Sequence, residues 1–202
     1  MVIIVIQARL NSTRLPNKVL LPIGKSSCLV RIIRTAKGSK LANEVIVVCP
    51  DDNGTIADIC RIEKVGLSEF RPSERNVLAE FWHARNWQDT DTVVRITADC
   101  PLLELSEIDN GITFFLTNQS KFDYYYNNYD GSDVQIFSGK TLKETFEKAK
   151  NPDELEHVCI YMERNLRSYI VQPPRIDSLS LNTKNDYDKI IEICWSLRCV
   201  GH

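Results

Sequence analysis

A cationic segment follows the first apolar run of the sequence. After VIIVI, the segment QARLNSTRLPNK (7–18) brings Arg9, Arg14 and Lys18 close together in the chain. Like charges on a short loop repel one another unless an anion joins them, and Arg and Lys side chains are common ligands of phosphate oxygens. The spacing therefore indicates an anion-binding loop, and the alternative is a solvated basic loop.

A second polar segment follows a later apolar run. TVVRIT (92–97) leads directly into ADCPLLE, which contains Asp99 and Glu104. Carboxylate oxygens are the ligands that a hard cation such as Mg²⁺ prefers. Cations on one loop and carboxylates on another suit a metal-bound triphosphate; the alternative is that Asp99 caps the next helix.

Apolar runs and amphipathic segments predict the elements that must position these loops. Continuous β-branched runs predict strands at 2–6, 44–49 and 92–97, each covered on both faces. Helical patterns lie around 29–36, with Ser26 or Ser27 as the N-cap, and around 56–62 and 77–87. The β-α-β alternation predicts an α/β fold with a mostly parallel central sheet flanked by helices. Ligands of such sheets bind beyond the carboxyl ends of the strands, where both polar segments lie.

The second half of the chain has a different pattern. A helix is predicted over 108–116, followed by two short strands around an Asn/Asp/Gly turn within 121–137. Further helices are predicted at 141–150, 153–165 and 186–197, with short strands at SYIV (168–171) and SLSL (178–181). We find no linker, repeat or low-complexity tract in the sequence, which favours a single domain over residues 1–202.

Composition excludes several classes of protein. The net charge of −2 argues against a protein whose main ligand is duplex nucleic acid. No apolar run has the length of a membrane span, and MVIIVIQAR reads as a core strand rather than a signal peptide. The seven cysteines are odd in number and contain no C-x-x-C, which fits a reduced cytoplasm.

Some short motifs lack the context that their chemistry needs. GKSS (24–27) has Val19 where a Walker A loop requires glycine. Asp89-Thr90-Asp91 precedes its strand, so it is interpreted as a turn. His83 lies among aromatic residues and is interpreted as a surface residue or a packing residue. The tyrosines at 124–126 and 129 could stack on a base or sugar, or serve packing or a dimer interface.

The chain resembles a known family along most of its length. IVIQARLNSTRLPNKVLLPIG is similar to the opening signature of the SpsF-type cytidylyltransferases of surface-polysaccharide synthesis, I-I-Q-A-R-x-G-S-T-R-L-P-x-K. These enzymes are relatives of the CMP-sialate and CMP-Kdo synthetases. Later blocks resemble further family motifs in the same order: SERNVLAEFWHA, VVRITADCPLLE, YDGSDVQIFS, ELEHVCIYM and LSLNTKNDYDKI.

The resemblance implies a fold and an activity. The fold would be a nucleotide-diphospho-sugar transferase domain, GT-A-like and Rossmann-like, with residues 1–105 as the nucleotide-binding half and 106–202 as the sugar-binding and dimerisation half. The activity would be transfer of CMP from CTP to a hydroxyl of a sugar or sugar acid, with release of pyrophosphate. Mg²⁺ would be the cofactor. A cytoplasmic homodimer that binds neither nucleic acid nor membrane is expected.

The resemblance also implies roles for individual residues. The nucleotide would be bound by Gln7, Ala8, Arg9, Ser12, Arg14, Lys18 and Arg95. Catalysis would depend on Arg9, Lys18 and Asp99, and Mg²⁺ would be held by Asp99 and Asn182. The sugar would face Asp133, Gln135, Glu156 and His157.

The chain departs from the family pattern at four of these motif positions. Asn11 and Ala98 replace glycines; asparagine tolerates the positive φ that the turn at 11 is expected to need. Gln135 replaces a glutamate, and Asn182 replaces the aspartate expected as the second metal ligand, which removes one negative charge.

Asp177 and Asp186 are the candidates to compensate for the charge lost at position 182. Two alternatives to the full activity therefore stay open. One is a catalytically weakened or inactive sugar-nucleotide-binding or assembly protein of the same fold. The other is the same fold acting on a different nucleotide or a non-sugar acceptor.

Overall fold

A mixed seven-stranded sheet forms the centre of the computed structural model, which describes residues 1–50, 54–72, 76–172 and 179–196. Its strands are β1 (Val2–Gln7), β4 (Glu44–Val48), β5 (Gly66–Ser68), β6 (Thr92–Thr97), β7 (Tyr124–Tyr126), β8 (Gln135–Ser138) and β9 (Ser168–Ile170). Strands β2 (Pro22–Ile23) and β3 (Ser26–Ser27) form a separate hairpin. The strand order is β5-β4-β1-β6-β8-β7-β9. Strands β5, β4, β1 and β6 are parallel, whereas β8 is antiparallel to both β6 and β7. The carboxyl ends of β1, β4, β5 and β6 consequently meet at one edge.

Helices cover both faces of the sheet. They are α1 (Cys28–Gly38), α2 (Thr55–Glu63), α3 (Val77–His83), α4 (Leu105–Asn118), α5 (Gly139–Lys148), α6 (Pro152–Glu156), α7 (Ile160–Asn165) and α8 (Lys184–Ser196). Successive side chains of β1 point to opposite faces, so Ile4 and Ile6 pack with α1, α2 and α4. Ile3 and Val5 pack with α3, α5 and α7. Strands β1 and β6 are buried on both sides, as their continuous apolar sequences predict, whereas the short edge strand β5 is partly exposed.

A third apolar cluster brings the end of the described chain back to the first polar loop. Ile23 and Cys28, from the β2–β3 hairpin and the start of α1, pack against Leu181, Ile190 and Cys194. The Tyr187 hydroxyl also donates a hydrogen bond of 2.8 Å to the carbonyl of Pro22. Helix α8 is therefore held beside the loop that follows β1.

Most predicted elements are confirmed, and the differences are local. Strand 92–97 and the start of α1 at the Ser27 N-cap, whose hydroxyl accepts from the Val30 amide, match the predictions. The helix predicted over 153–165 is wrong as a single element, because it is interrupted between Glu156 and Ile160. Leu179–Leu181 of the SLSL segment form no strand, so that prediction is also wrong. Asp177 and His202 lie outside the described residues.

The short motifs without a chemical context have structural roles. Gly24 of GKSS has φ 68° at the tip of the β2–β3 hairpin. The Asp91 carboxylate lies 3.2 Å from the chain's amino group and accepts from the Gln88 amide at 2.9 Å, so it stabilises the turn before β6. The His83 ring stacks on Phe70 with 4.1 Å between ring centroids.

The tyrosine run lies mainly inside the fold. Tyr124 and Tyr125 are buried within this single chain, on opposite faces of β7. Packing is therefore their role, and neither is available to stack on a ligand or to line a dimer interface. Within the described residues, no helix has the length and apolarity needed to cross a bilayer.

Candidate active site

The loop after β1 is closed by backbone hydrogen bonds to one buried residue. The amides of Ser12 and Asn17 both donate to the carbonyl of Leu10, at 2.9 and 3.0 Å. The left-handed backbone conformation falls on Asn17, with φ 55°, and not on Asn11 as the family pattern suggested. A single 3-10 turn, Lys18–Leu20, follows directly. Asparagine adopts this conformation more readily than most residues do, so Asn17 suits the position.

This loop forms one wall of a cavity of about 730 Å³. The volume lies within the range of roughly 300–1,000 Å³ that is usual for small-molecule sites. Its described lining residues are Arg9, Asn11, Ser12, Thr13, Arg14, Lys18, Pro50, Arg71, Pro72 and Glu80. Four of these carry a positive charge and one a negative charge, so the cavity suits an anionic ligand.

Lys18 connects the cationic loop to the acid beyond β6. Its Nζ lies 2.5 Å from Asp99 Oδ2, and the side chains are 12% and 23% exposed. The same Nζ donates to Asn182 Oδ1 at 3.1 Å, and Arg14 Nη2 donates to that oxygen at 3.0 Å. The three segments predicted to form the triphosphate and metal site therefore meet at one point.

The backbone around Asn182 explains why it reaches this point. The Leu181 amide donates to the carbonyl of Asp99 at 2.8 Å, which fixes residue 182 beside the end of β6. Asp186 Oδ2 accepts from the amides of Asn182 and Thr183, at 3.2 and 2.7 Å, and from the Thr183 hydroxyl at 2.8 Å. Although burial acts in the opposite direction, these hydrogen bonds hold the pKa of Asp186 below its ordinary value. Asp186 therefore caps the start of α8. Its Oδ2 is occupied by these hydrogen bonds and does not replace the carboxylate that is absent at position 182.

The oxygens around Lys18 are compatible with a divalent cation bound together with phosphate. Among the described residues, no group of three or more His, Cys, Asp or Glu side chains could hold a metal alone. However, Asp99 Oδ2 and Asn182 Oδ1 already surround one cationic centre, the Lys18 ammonium. Mg²⁺ commonly keeps several waters and takes one or two protein oxygens plus substrate phosphates. The donor set fits that mode of binding.

A second polar network crosses four strands next to this site. Arg95 Nη2 donates to Gln7 Oε1 at 2.6 Å, and Arg95 Nη1 donates to Gln135 Oε1. Gln135 Nε2 donates to the Tyr124 hydroxyl at 2.7 Å, which in turn donates to Glu163 at 3.0 Å. The two direct partners of the Arg95 guanidinium are neutral amides. Its buried Nε has no hydrogen-bond partner among the described residues.

Asp133 lies beside this network. Its Oδ1 accepts from the Tyr126 hydroxyl at 2.7 Å. Burial raises the pKa of the Asp133 carboxyl above its usual value, and the charge of Asp130 adds to the increase, against the hydrogen bond from Tyr126 and the charge of Arg95. The carboxylate consequently has more affinity for a proton than a surface aspartate has.

Three predicted site residues are absent from the described lining of the cavity. The Ala8 side chain is buried, and its amide donates to the carbonyl of Val48 at 2.9 Å, within the sheet. Glu156 ends α6, and exposed His157 is its C-cap. None of the three lines the cavity.

Arg71 and Glu80 line the cavity although the sequence analysis did not select them. Arg71 follows β5, a strand of three residues that is parallel to β4 and therefore ends at the same edge as β1. The available signal was the position of Arg71 after a strand end. It was missed because GLS (66–68) is too short to have a recognisable apolar pattern.

Comparison with known proteins gives a consistent set of relatives. Residues 3–195 match the family model described as cytidylyltransferase. The Bacillus subtilis spore coat polysaccharide biosynthesis protein SpsF is 29% identical over 203 residues, covering 94% of this chain and 84% of that protein. A cytidylyltransferase structure from Leptospira borgpetersenii aligns with a TM-score of 0.82 and 28% identity, over 98% of this chain and 95% of that one.

The same fold occurs in a more distant structure that contains a nucleotide. CMP:2-keto-3-deoxy-manno-octonic acid synthetase complexed with CTP aligns with a TM-score of 0.74, over 97% of this chain and 99% of that chain. The sequence identity is 14%, so this similarity concerns the fold. The mostly parallel sheet flanked by helices is thus shared with nucleotide-binding enzymes.

Proposed function

We propose that this chain, which belongs to the cytidylyltransferase family, transfers CMP from CTP to a hydroxyl group of a sugar or sugar acid and releases pyrophosphate. That it is a CTP-dependent cytidylyltransferase follows from its family and relatives. The sugar acceptor and a role in surface polysaccharide synthesis are the proposed part. The name of the B. subtilis relative, which includes polysaccharide biosynthesis, supports that part.

The cationic cavity is the observation that carries the proposal. Arg9, Arg14, Lys18 and Arg71 line a single space at the carboxyl edge of the parallel strands. A triphosphate carries several negative charges, and Arg forks and a Lys ammonium neutralise such oxygens efficiently. We propose that the triphosphate lies across Arg9, Ser12, Arg14 and Lys18.

Mg²⁺ is the proposed cofactor, with Asp99 and the amide oxygen of Asn182 as its protein ligands. When bound, the ion would neutralise charge on the phosphate oxygens. Because Lys18 contacts both of these oxygens, its ammonium group is proposed to bind a phosphate oxygen beside the metal.

The acceptor is proposed to bind beside the nucleotide, over Asp133, Gln135 and Arg95. Glu156 and His157 are proposed to contact the far side of the acceptor. Catalysis would consist mainly of holding the acceptor hydroxyl in line with the α-phosphorus and neutralising the charge that develops there. Burial of the triphosphate beside Arg9 and Lys18 would also limit access of water, which is the competing acceptor.

Pyrophosphate release from CTP tests this function. We would incubate the protein with CTP, Mg²⁺ and a panel of acceptors that begins with 2-keto-3-deoxy-manno-octonic acid and includes neutral sugars. Release is expected with one acceptor class and is expected to be lost in Arg9→Ala. Absence of release with every acceptor, or an Arg9→Ala variant equal to wild type, would overturn the proposal.

A second candidate is a protein of the same family that binds CTP without turnover. The observation in its favour is Asn182, which provides an amide oxygen where a carboxylate is expected. Tight CTP binding without pyrophosphate release, not restored by Asn182→Asp, would favour this candidate. Restored release would instead show a weakened active site.

A homodimer in the cytoplasm is the proposed state of the protein. The six cysteines within the described residues are buried and form no disulfide, which supports a reducing compartment. Dimerisation is proposed to use the second half of the chain.

A further inference from the structure

We propose that Asp133 is the general base that takes the proton from the attacking acceptor hydroxyl. This inference rests on the proposed function, because it assigns a role within that reaction. It goes beyond substrate binding, the role that the family motif suggests for Asp133.

The sheet directs Asp133 toward the acceptor side of the site. Arg95 of β6 pairs with Gln135 of β8, and Gln135 pairs with Tyr126 of β7. Asp133 precedes Gln135 by two residues and accepts from the Tyr126 hydroxyl, so it shares their face of the sheet. Since β8 runs antiparallel to β6, position 133 lies beyond Gln135 toward the carboxyl end of β6, where Asp99 begins the polar loop.

Cys100 gives the spacing between the two carboxylates. Its Sγ lies 3.8 Å from Asp99 Oδ1 and 3.9 Å from Asp133 Oδ2. The two acids are therefore within about 8 Å of each other across one buried sulfur atom. In the proposed arrangement, the reacting phosphoryl group lies near Asp99 and the attacking hydroxyl near Asp133. A base must come within about 2.6–3.2 Å of the oxygen whose proton it takes.

The surroundings of Asp133 keep it available for a proton. The charged and titratable groups that face it are Arg95 of β6, Cys100 after β6, Tyr126 of β7 and Asp130 of its own loop. Tyr126 engages Oδ1, whereas Oδ2 has the weakly bonding Cys100 thiol nearby. Burial together with Asp130 raises the pKa of Asp133, which moves it toward the working pH of a general base.

Other acids near the site are less suited to this role. Asp99 forms an ion pair with Lys18 at 2.5 Å and is the proposed metal ligand. Glu163 accepts from the buried Tyr124 hydroxyl, and Glu154 closes a capping box at the start of α6. His157 is an exposed helix C-cap.

The step balances without a further reactant. As the acceptor oxygen forms its bond to the α-phosphorus of CTP, its proton passes to an Asp133 carboxylate oxygen. The bond between the α-phosphorus and the bridging oxygen to the β-phosphorus breaks at the same time, and its electron pair leaves with pyrophosphate. Asp133 later releases the proton to water.

The first test compares the isosteric variant Asp133→Asn with wild type. We expect kcat for pyrophosphate release to decrease about 10²–10⁴-fold, the usual contribution of a general base. The Kd for CTP is expected to stay unchanged, and the midpoint of thermal unfolding is expected to stay equal or to rise, because Asn does not bury a charge. The acidic limb of the pH–rate profile is expected to disappear.

Two further variants should move the acidic limb of the pH–rate profile in opposite directions. Tyr126→Phe removes a hydrogen bond that lowers the pKa of Asp133, so the limb should move to higher pH. Asp130→Asn removes a charge that raises that pKa, while an amide oxygen can still accept from the Ser180 hydroxyl, so the limb should move to lower pH. A merely structural role for Asp133 would produce neither shift.

The outcomes separate this inference from the proposed function. If wild type turns over but Asp133→Asn loses less than about tenfold in kcat, or keeps its acidic limb, Asp133 is not the base. Parallel shifts in the two neighbouring variants would also overturn the assignment. If wild type binds no CTP or releases no pyrophosphate, the proposed function fails, and this inference fails with it.

Discussion

At the scale of single residues, Lys18 has the largest expected effect on nucleotide binding. Its ammonium lies between Asp99 and Asn182 and also lines the cationic cavity. We expect Lys18→Met to raise the Kd for CTP about 10- to 100-fold, which corresponds to roughly 1.4–2.8 kcal/mol for a charged hydrogen-bonded contact. Calorimetric titration measures this change. Lys25→Met, on the exposed hairpin turn, is the matched control and should bind CTP as wild type does.

A Lys18→Met variant with unchanged affinity would remove Lys18 from the phosphate site. Equal losses in both lysine variants would indicate a general effect of charge rather than a specific contact.

Asn182 sets the balance of charge at the proposed metal site. In Asn182→Asp, a second carboxylate would lie beside Arg14 and Lys18. We expect the ratio of CTP affinity with Mg²⁺ to affinity with EDTA to increase at least about tenfold, because the added charge attracts the metal and repels free triphosphate. The measurement is a pair of CTP titrations for each protein.

Asn185→Asp adds the same charge at an exposed position in the first turn of α8, so it controls for net charge. An Mg²⁺ dependence that changes equally in both variants would argue against a metal-binding role for position 182.

The roles of individual residues in the nucleotide loop were predictable because side-chain charge determines which ligands they can bind. A carboxylate after TVVRIT and cations after VIIVI could be expected to meet once the strands were taken as parallel neighbours. The contact between Lys18 and Asn182 could not be derived from spacing, because it depends on how α8 packs on the β2–β3 hairpin. The same holds for the position of the left-handed residue, which is Asn17 and not Asn11.

At the scale of elements, the loop between β7 and β8 controls where Asp130 and Asp133 lie. Gly131 in this loop has φ +91°, and a Cβ on it would lie 2.5 Å from Leu179. We expect Gly131→Ala to lower the free energy of unfolding by about 2–4 kcal/mol, from backbone strain plus the steric conflict. Urea-induced unfolding measures this loss.

Gly54→Ala is the matched control for the strain alone. Gly54 has φ +94°, but a Cβ there would have nothing within 4 Å. The variant should lose only about 1–2 kcal/mol of unfolding free energy. Equal losses in the two variants would show that the close approach to Leu179 does not contribute to stability.

Elements with strong periodic patterns were predicted well, and short ones were not. Strand β6 follows from six residues that are nearly all β-branched. Strand β5 has only three residues, and its pairing with β4 arises from tertiary contacts. The break between α6 and α7 was missed because the apolar pattern continues across it, although the backbone turns at His157.

At the scale of the whole molecule, the sheet order was only partly available from the sequence. The parallel part follows from the β-α-β alternation and from apolar strands covered on both faces. The insertion of β8 between β6 and β7 brings Gln135 beside Arg95, and local pattern gives no information on such non-consecutive pairing.

The molecular mass of the protein in solution tests the proposed homodimer. Light scattering of wild type at micromolar concentration is expected to give twice the chain mass of 23.2 kDa. Because Tyr124 and Tyr125 are buried within one chain, substituting them would report on folding rather than on dimerisation. A mass equal to one chain would contradict the dimer and leave the proposed nucleotide site unaffected.

The central claim is that the basic loop after β1 and the acid after β6 form one polyphosphate site. The most direct test is to measure the midpoint of thermal unfolding with and without nucleotide. We expect Mg²⁺ with CTP to raise the unfolding midpoint, because a ligand at 100 times its Kd stabilises the native state by about 2.7 kcal/mol. Cytidine at the same concentration should have little effect, and inorganic triphosphate should retain part of the stabilisation. If CTP and triphosphate leave the midpoint unchanged, or cytidine raises it as much as CTP does, the cavity lined by Arg9 and Lys18 does not bind polyphosphate.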